Sequence, residues 1–374
     1  MSAFDVRILG SGIVSRAMAL TLARQGLAVA LQARPAVAGL AAGALPVDLR
    51  TYALNPASVA LLDSLKVWPA LPEDARTAVL DMQVRGDHPA AALAFSAWQQ
   101  TVPALAWIVD AAALADGLEM ATRYAPNITL MTEPGPAPLT LIAEGKASAS
   151  RETRNVGFER HAYGHSALAA RLVADQPHAG VAHQWFRSPD ILALLPFDRP
   201  EAGRSFGLVW SMPQAQADEW LAAEPAAFEA ALNAATGGAA GQLRLASDRA
   251  AWPLAIGQAD AVTGPGWALL GDAAHQVHPL AGQGLNLGLA DVQALGQTLA
   301  ERESWRGLGD PVMLRRYARR RGPANWAMAR ATDGLWTLFA QENPALRELR
   351  NRGMTLVNRV APLKRWLASR ALDV

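Results

Sequence analysis

Residues 271–295 read GDAAHQVHPLAGQGLNLGLADVQAL, and what this stretch is built to hold decides the fold. The apolar run WALL before it reads as a strand, so Gly271 and Asp272 stand at a strand's carboxyl end. An acid there can accept hydrogen bonds from ligand hydroxyls in the crevice above a sheet. Pro279 stops the segment before it and fixes its carbonyl. Gly282 and Gly284 let backbone amides face a ligand. The following LNLGLADVQALGQTLA (285–300) is a helix whose N-terminus can stabilise negative charge. His275 and His278 are three apart, which suits one helix face, but no third ligand lies near, and zinc sites need three or four. We read both as scaffold residues of a ligand loop and expect no metal.

A second stretch, VRILGSGIVSRAMALTLARQGLAVALQAR (6–34), reads as strand, tight turn, helix, strand. Gly10 and Gly12 permit the turn and a close approach of backbone to a pyrophosphate, which would sit at the helix N-terminus. Gly26 ends that helix. Two positions depart from the dinucleotide pattern. Ser15 stands at the third glycine position, and Ala33, beside Gln32, stands where an acid normally grips the ribose. Gln32 can still make one hydrogen bond. Taken alone, this glycine pattern is either an ordinary βαβ unit or a nucleotide site.

The chain of 374 residues, 51% hydrophobic and 18% charged, is long enough for two domains or one large interleaved unit. It has no cysteine, which excludes disulfides, thiolate metal sites, iron–sulfur clusters and cysteine nucleophiles. Neither a signal peptide nor an apolar run of spanning length is evident, so a cytoplasmic protein is expected, at most peripheral on the inner membrane. A net charge of +1 argues against a nucleic-acid binder. The charge is uneven: residues 301–374 hold 15 Lys and Arg against 7 Asp and Glu, the remainder 19 against 26. A basic tail suits an anionic surface or partner, and equally a set of solvated helix faces.

Two further stretches, DLRTYALNPASVALLDSLKVW (48–68) and AEGKASASR (143–151), fall in order between the first two. Together the four resemble the FAD-dependent aromatic-ring monooxygenases, most closely the ubiquinone-biosynthesis hydroxylases of the UbiH/UbiF type. The resemblance spans nearly the whole chain. It implies an α/β fold in which a Rossmann-like FAD-binding domain is interleaved with a mixed β-sheet substrate domain, with a helical C-terminus. On it, residues 1–70, 101–155 and 255–340 form the flavin domain, 71–100 and 156–254 the substrate sheet, and 341–374 a helical tail.

The same resemblance assigns Gly10, Gly12, Ser15 and Gln32 to the ADP part of FAD, and Arg50 to a place beside the cofactor. It assigns Gly145 to the pyrophosphate and transient NAD(P)H, with Glu144 in place of the usual Asp. Gly271, Asp272, Gly282, Gln283, Gly284, Leu285 and Asn286 fall to the ribityl chain and ring. Arg50 and the Pro279 carbonyl are the candidates nearest the reaction centre, although Arg50 also reads as a surface ion-pair residue. The implied reaction uses NAD(P)H, O2 and a C4a-hydroperoxide of the flavin to hydroxylate a phenolic, polyprenylated ring in ubiquinone biosynthesis.

Two rival readings remain open. One is a hydroxylase of a small soluble aromatic or secondary metabolite. The other is a divergent non-catalytic scaffold subunit of a quinone-biosynthesis complex, suggested by Ser15, Ala33 and Glu144. The segment PALRELRNRGMTLVNRVAPLKRWLASRAL (344–372) places Leu346, Leu349, Leu356 and Val360 along one side, with Arg347, Arg350 and Arg359 elsewhere. Such a helix rests either on anionic lipid or on the flavin domain.

Overall fold

The strand Val6–Leu9 pairs in parallel with Val29–Gln32 on one side and with Leu139–Ile142 on the other. The computed structural model describes residues 3–33, 48–86, 92–276 and 284–340. This sheet extends outward to Ile128–Met131 at one edge and to Trp267–Leu269 at the other, where Thr263–Gly264 closes it with an antiparallel pair. The near-continuous apolar runs of its central strands follow from burial of both faces; Leu139, Thr140, Leu141 and Ile142 are all buried. The helix Ile13–Arg24 and the helix Gly284–Ala300 pack against each other beside this sheet through Ala17, Leu289 and Val292, all fully buried.

A second sheet is antiparallel apart from one parallel pair, Val181–Arg187 with Asp81–Arg85. Its long central strands, Phe158–Ala174, Val181–Arg187, Asp190–Phe197 and Ser205–Pro213, alternate two apolar faces, because successive side chains point oppositely. Leu168, Leu192 and Trp210 pack with the helices Gln214–Ala222 and Pro225–Thr236. Ala167, Ala193 and Val209 face the other way. A three-stranded sheet, Thr51–Leu54, Ala106–Asp110 and Arg76–Val79, belongs to both cores. On its middle strand Val109 joins the core of the parallel sheet, while its neighbour Ile108 joins that of Phe197 and Leu195.

The expected strand through WALLGDAAH is shorter than its apolar pattern suggests. It ends at Leu269, and Gly271–Ala273 forms a 3-10 turn made possible by φ +58° at Gly271. That turn sits against the first residues of both helices. A Cβ at Gly288 would lie 2.7 Å from Val14 Cγ2 and 3.4 Å from Gly271 Cα. Gly288→Ala should therefore lower unfolding stability by about 1–3 kcal/mol through overpacking. Denaturant unfolding checks this; an unchanged midpoint would mean the helix slides aside freely.

Candidate functional site

A cavity of about 740 Å³ opens between the parallel sheet and the second sheet. On the parallel-sheet side it is bounded by Gly10, Gly12, Gln32 and Gly145, and at the turn by Asp272. Gly284 and Leu285, at the start of the helix 284–300, complete that wall, and Asp48 and Arg50 stand on its rim.

The helix Ile13–Arg24 starts at Gly12 with no side-chain cap and no acid in its first turn. Its first amides therefore lack intrahelical partners and keep the partial positive charge of a helix N-terminus. A Cβ at Gly12 would meet nothing within 4 Å, so the space over these amides is open. Gly10 is different: at φ +115° its Cβ would lie 2.3 Å from the Ala143 carbonyl oxygen, so only glycine lets the two strands close up.

Ser15 is fully buried and donates from Oγ to Ala143 O at 3.1 Å. It thus takes the helix-to-strand packing place of the third glycine and does not line the cavity. Gln32 lines the cavity and accepts from the Gly10 amide through Oε1 at 2.7 Å. A neutral carboxamide here pins the glycine turn without adding negative charge beside the helix N-terminus.

Glu144 faces inward to its own loop. Its carboxylate accepts from Ser148 Oγ at 2.7 Å, from Ser150 N at 3.0 Å and from Ser150 Oγ at 2.7 Å. The extra methylene relative to Asp lets it fasten the start of the helix Ala149–Glu152. Arg151, almost wholly buried, then donates from Nη1 to Ala273 O at 3.1 Å and stacks over Phe158 at 4.1 Å. The AEG loop and the Asp272 turn are tied together through it.

Arg50 holds Asp48 in two parallel hydrogen bonds, Nε to Oδ1 at 2.8 Å and Nη2 to Oδ2 at 2.6 Å. Burial opposes ionisation of Asp48, but the hydrogen bonds and charge of Arg50 win and its pKa falls below the ordinary carboxylate value. Arg50 is thus an ion-pair residue that also lines the cavity. Asp272 has no hydrogen-bond partner among the described residues. Partial burial pushes its carboxyl upward, against the pull of Lys146, His275 and Arg50.

Asn286 does not reach the cavity. Its Oδ1 accepts from Asn55 N at 3.1 Å and Ser58 Oγ at 2.8 Å, and its Nδ2 donates to Ala53 O at 2.8 Å. The side chain clasps the helix 284–300 to residues 53–58, which corrects the expectation of a cofactor contact from it. Gly271 also falls behind the cavity wall, where it shapes the turn. Pro279, Gly282, Gln283 and His278 lie outside the described residues.

Behind the turn stands a network that the motif reading missed. Asp291 is completely buried. Its Oδ2 accepts from the Gly271 amide at 2.9 Å and from His275 Nε2 at 2.6 Å, and its Oδ1 accepts from Arg321 Nε at 2.8 Å. Tyr317, one turn before Arg321, donates to Leu269 O at 2.9 Å. The sequence signal was available: an acid inside LGLADVQAL must find cations if its helix is buried all round. His275 bonds Asp291 behind the turn and is not among the residues lining the cavity. Among the described residues no three His, Asp or Glu side chains are grouped to hold a metal ion.

The network makes a pH prediction. Burial disfavours the His275 cation, but Asp291 outweighs it and raises the pKa above 6.5; Asp291 itself is held below 3.8 by His275 and Arg321 despite its burial. The Asp291 contribution is therefore present above the ordinary carboxylate value and disappears only as pH falls through the lowered one. That of His275 is complete below 6.5 and is lost as pH rises through its raised value. Melting temperature should decline as pH rises above 6.5 through the raised value, and His275→Gln should flatten that decline. Parallel profiles for the two proteins would refute the assignment.

These features fit a flavin dinucleotide. The open, uncapped helix N-terminus suits a pyrophosphate, and the unpartnered acid beyond the strand end suits a polyol. The sequence profile of the FAD binding domain matches residues 137–332. Over 99% of its length the chain is 30% identical to 98% of the 3-demethoxyubiquinol 3-hydroxylase of Escherichia coli. The chain belongs to the ubiquinone-hydroxylase family of FAD-dependent aromatic-ring monooxygenases.

It is 29% identical to the ubiquinone hydroxylase UbiL of Rhodospirillum rubrum, over 98% of this chain and 89% of that one. Two solved structures share the fold. The FAD-dependent monooxygenase PqsL of Pseudomonas aeruginosa superimposes with a TM-score of 0.74 at 20% identity, covering 94% of this chain and 99% of that one. The p-nitrophenol 4-monooxygenase of Pseudomonas putida gives 0.75 at 16% identity, covering 99% and 98%. The aromatic-hydroxylase fold expected from the sequence is therefore the one present. The protein is an FAD-dependent monooxygenase, with NAD(P)H the reductant typical of its family.

Proposed function

We propose that this monooxygenase hydroxylates an uncharged, polyprenylated phenol in ubiquinone biosynthesis. The observation that carries the reading is the sheet wall of the cavity. Ala169, Ile191, Ala193, Leu195 and Val209 line it, and none of the side chains it contributes is ionisable. A buried carboxylate substrate would need a paired cation on that wall. The named hydroxylases to which the chain is similar act, by their names, on ubiquinone and demethoxyubiquinol.

Bound FAD would supply the oxygen chemistry, and the protein supplies position, field and dryness. Gly10, Gly12 and Gly145 present backbone to the phosphates. Asp272 would accept from the ribityl hydroxyls, while Leu285 and Gly284 would place the helix N-terminus where negative charge can be stabilised. Arg50, fixed by Asp48, sets a permanent positive charge on the rim. The apolar wall keeps water from the reacting face. In this scheme residues 1–70, 101–155 and 255–340 serve the flavin, while 71–100 and 156–254 serve the substrate.

The scaffold alternative loses two of its three supports, because Ser15 packs the helix on Ala143 and Glu144 caps its own loop; beside the third, Ala33, Gln32 pins the glycine turn. The decisive experiment is anaerobic reduction of the FAD-loaded protein by NADH or NADPH, with and without prenylated phenols. Acceleration by the phenol supports the reading; indifference to every phenol ends it. Accumulation of a quinone precursor on gene deletion separates this reading from a small-aromatic hydroxylase.

Such a substrate lives in the bilayer, and among the described residues no helix is long and apolar enough to cross a membrane. Several arginines between 301 and 340 are already paired: Arg306 and Arg316 with Glu303, Arg320 with Glu301, Arg321 with Asp291. In this reading the basic residues of 341–374 meet an anionic lipid surface. Sedimentation with anionic liposomes should carry down the full chain but not one ending at residue 340; equal partitioning would exclude the tail.

A further inference from the structure

The sheet wall of the cavity carries two polar side chains whose role in the fold is unaccounted for. Gln184 and Ser211 are 5% and 4% exposed, and both line the cavity. Neither side chain has a hydrogen-bond partner among the described residues. On the opposite face of the same sheet Trp210 donates to Asp190 at 3.1 Å, whereas Gln276, which also lines the cavity, has a buried Oε1 without a partner among the described residues. The polar atoms of Gln184 and Ser211 open onto the cavity, so a ligand that displaces water from it must offer them partners or leave them unsatisfied.

Strand register fixes where they stand. Gln184 pairs with Ala193, Ala193 with Val209, and Val209 with Ala169, which makes one row across four strands. Ser211 lies in the adjacent row of the same face, paired with Ile191 and Ala167. The two polar groups are therefore two strands and one side-chain repeat apart, on the order of 12 Å between Cα atoms. Between and beside them the side chains are apolar: Ala193 and Ile191 on the intervening strand, with Val209, Ala167 and Ala169 beside them. A flat ring can lie on that floor with substituents reaching both ends.

We propose that Gln184 and Ser211 are specificity residues, each making a hydrogen bond to a separate oxygen substituent of an uncharged benzene ring. The substrate class is thereby narrowed to rings carrying at least two hydroxyl or alkoxy groups and no ionised one. A carboxamide and a hydroxyl both donate and accept, so either group reads a hydroxyl or a methoxy oxygen. This inference rests on the reading of the cavity as the substrate chamber.

The test uses the FAD-loaded full chain and an isosteric pair of probes, 3-methoxyphenol and 3-ethylphenol, with 3-hydroxybenzoate as the charged comparison. Binding is read from the perturbation of the flavin absorbance. The expected result is that 3-methoxyphenol binds about 5–20-fold more tightly than 3-ethylphenol, the size of one net hydrogen bond, and that 3-hydroxybenzoate does not compete. The probes differ at one oxygen, so whichever of Ser211→Ala and Gln184→Met removes the partner of the methoxy oxygen should bring the ratio to about one. The other, facing the shared hydroxyl, should weaken both probes by a similar factor. A merely structural role for both residues would leave the ratio unchanged in both variants. Ser211→Ala removes a single oxygen, so it reports even if Gln184→Met folds poorly. Equal affinities in the parent protein, an unchanged ratio in both variants, or no phenol binding by a flavin-loaded protein overturns the proposal. Failure to retain FAD at all would instead overturn the reading beneath it.

Discussion

Replacing Asp291 with asparagine lowers the unfolding free energy by about 3–5 kcal/mol, because two buried cations lose their counter-charge while staying in place. Asp291 is completely buried, and His275 and Arg321 reach it at 2.6 and 2.8 Å. The asparagine oxygen can still accept from the Gly271 amide, but it cannot neutralise His275 and Arg321 together. Urea unfolding of the apo-protein at fixed slope checks the figure. Adding Arg321→Met should recover part of the loss, since one orphaned charge is gone. A decrease below about 1 kcal/mol would show that water or rearrangement repairs the site, and the network would lose its structural standing. Because Asp291 also fixes the turn that carries Asp272, the single variant should retain less FAD on gel filtration.

Gly12→Val acts on ligand and leaves the fold alone. A side chain at position 12 projects into open space, with nothing within 4 Å of its Cβ, so the apo-protein should keep its melting temperature. The same atoms would stand where a pyrophosphate approaches the helix amides. Loss of two charge-assisted hydrogen bonds, roughly 3–6 kcal/mol, weakens FAD by about two to four orders of magnitude. The protein should purify colourless and stay so under added FAD, which absorbance of the desalted protein measures. A yellow Gly12→Val protein would place the dinucleotide elsewhere. Gly10→Ala makes the contrast, since its Cβ would strike the Ala143 carbonyl and damage the sheet itself.

Much of this was legible along the chain because it is local. The glycine turn, the helix behind it, the acid at a strand end and the helix after Gly284 each depend on residues within about one element of one another, and their periodicities survive in any context. Motifs recurring in order supplied the fold, since each binds a different part of one cofactor. The same local reading misjudged Asn286, whose motif position suggests a ligand contact. Its side chain instead bonds Asn55 and Ser58, more than 200 positions away in sequence.

The sequence by itself determined the architecture, the cofactor class and the glycine cradle, because backbone conformation and amphipathic pattern are written in near neighbours. Only tertiary structure decided which polar groups are satisfied. Asp291 finds Arg321 thirty residues on, Ser15 finds Ala143, and the side chains of Gln184 and Ser211 find no partner among the described residues of their shared wall. Hydrogen bonding and ion pairing in a dry interior depend on distances of a few ångströms between segments that the chain order leaves unrelated.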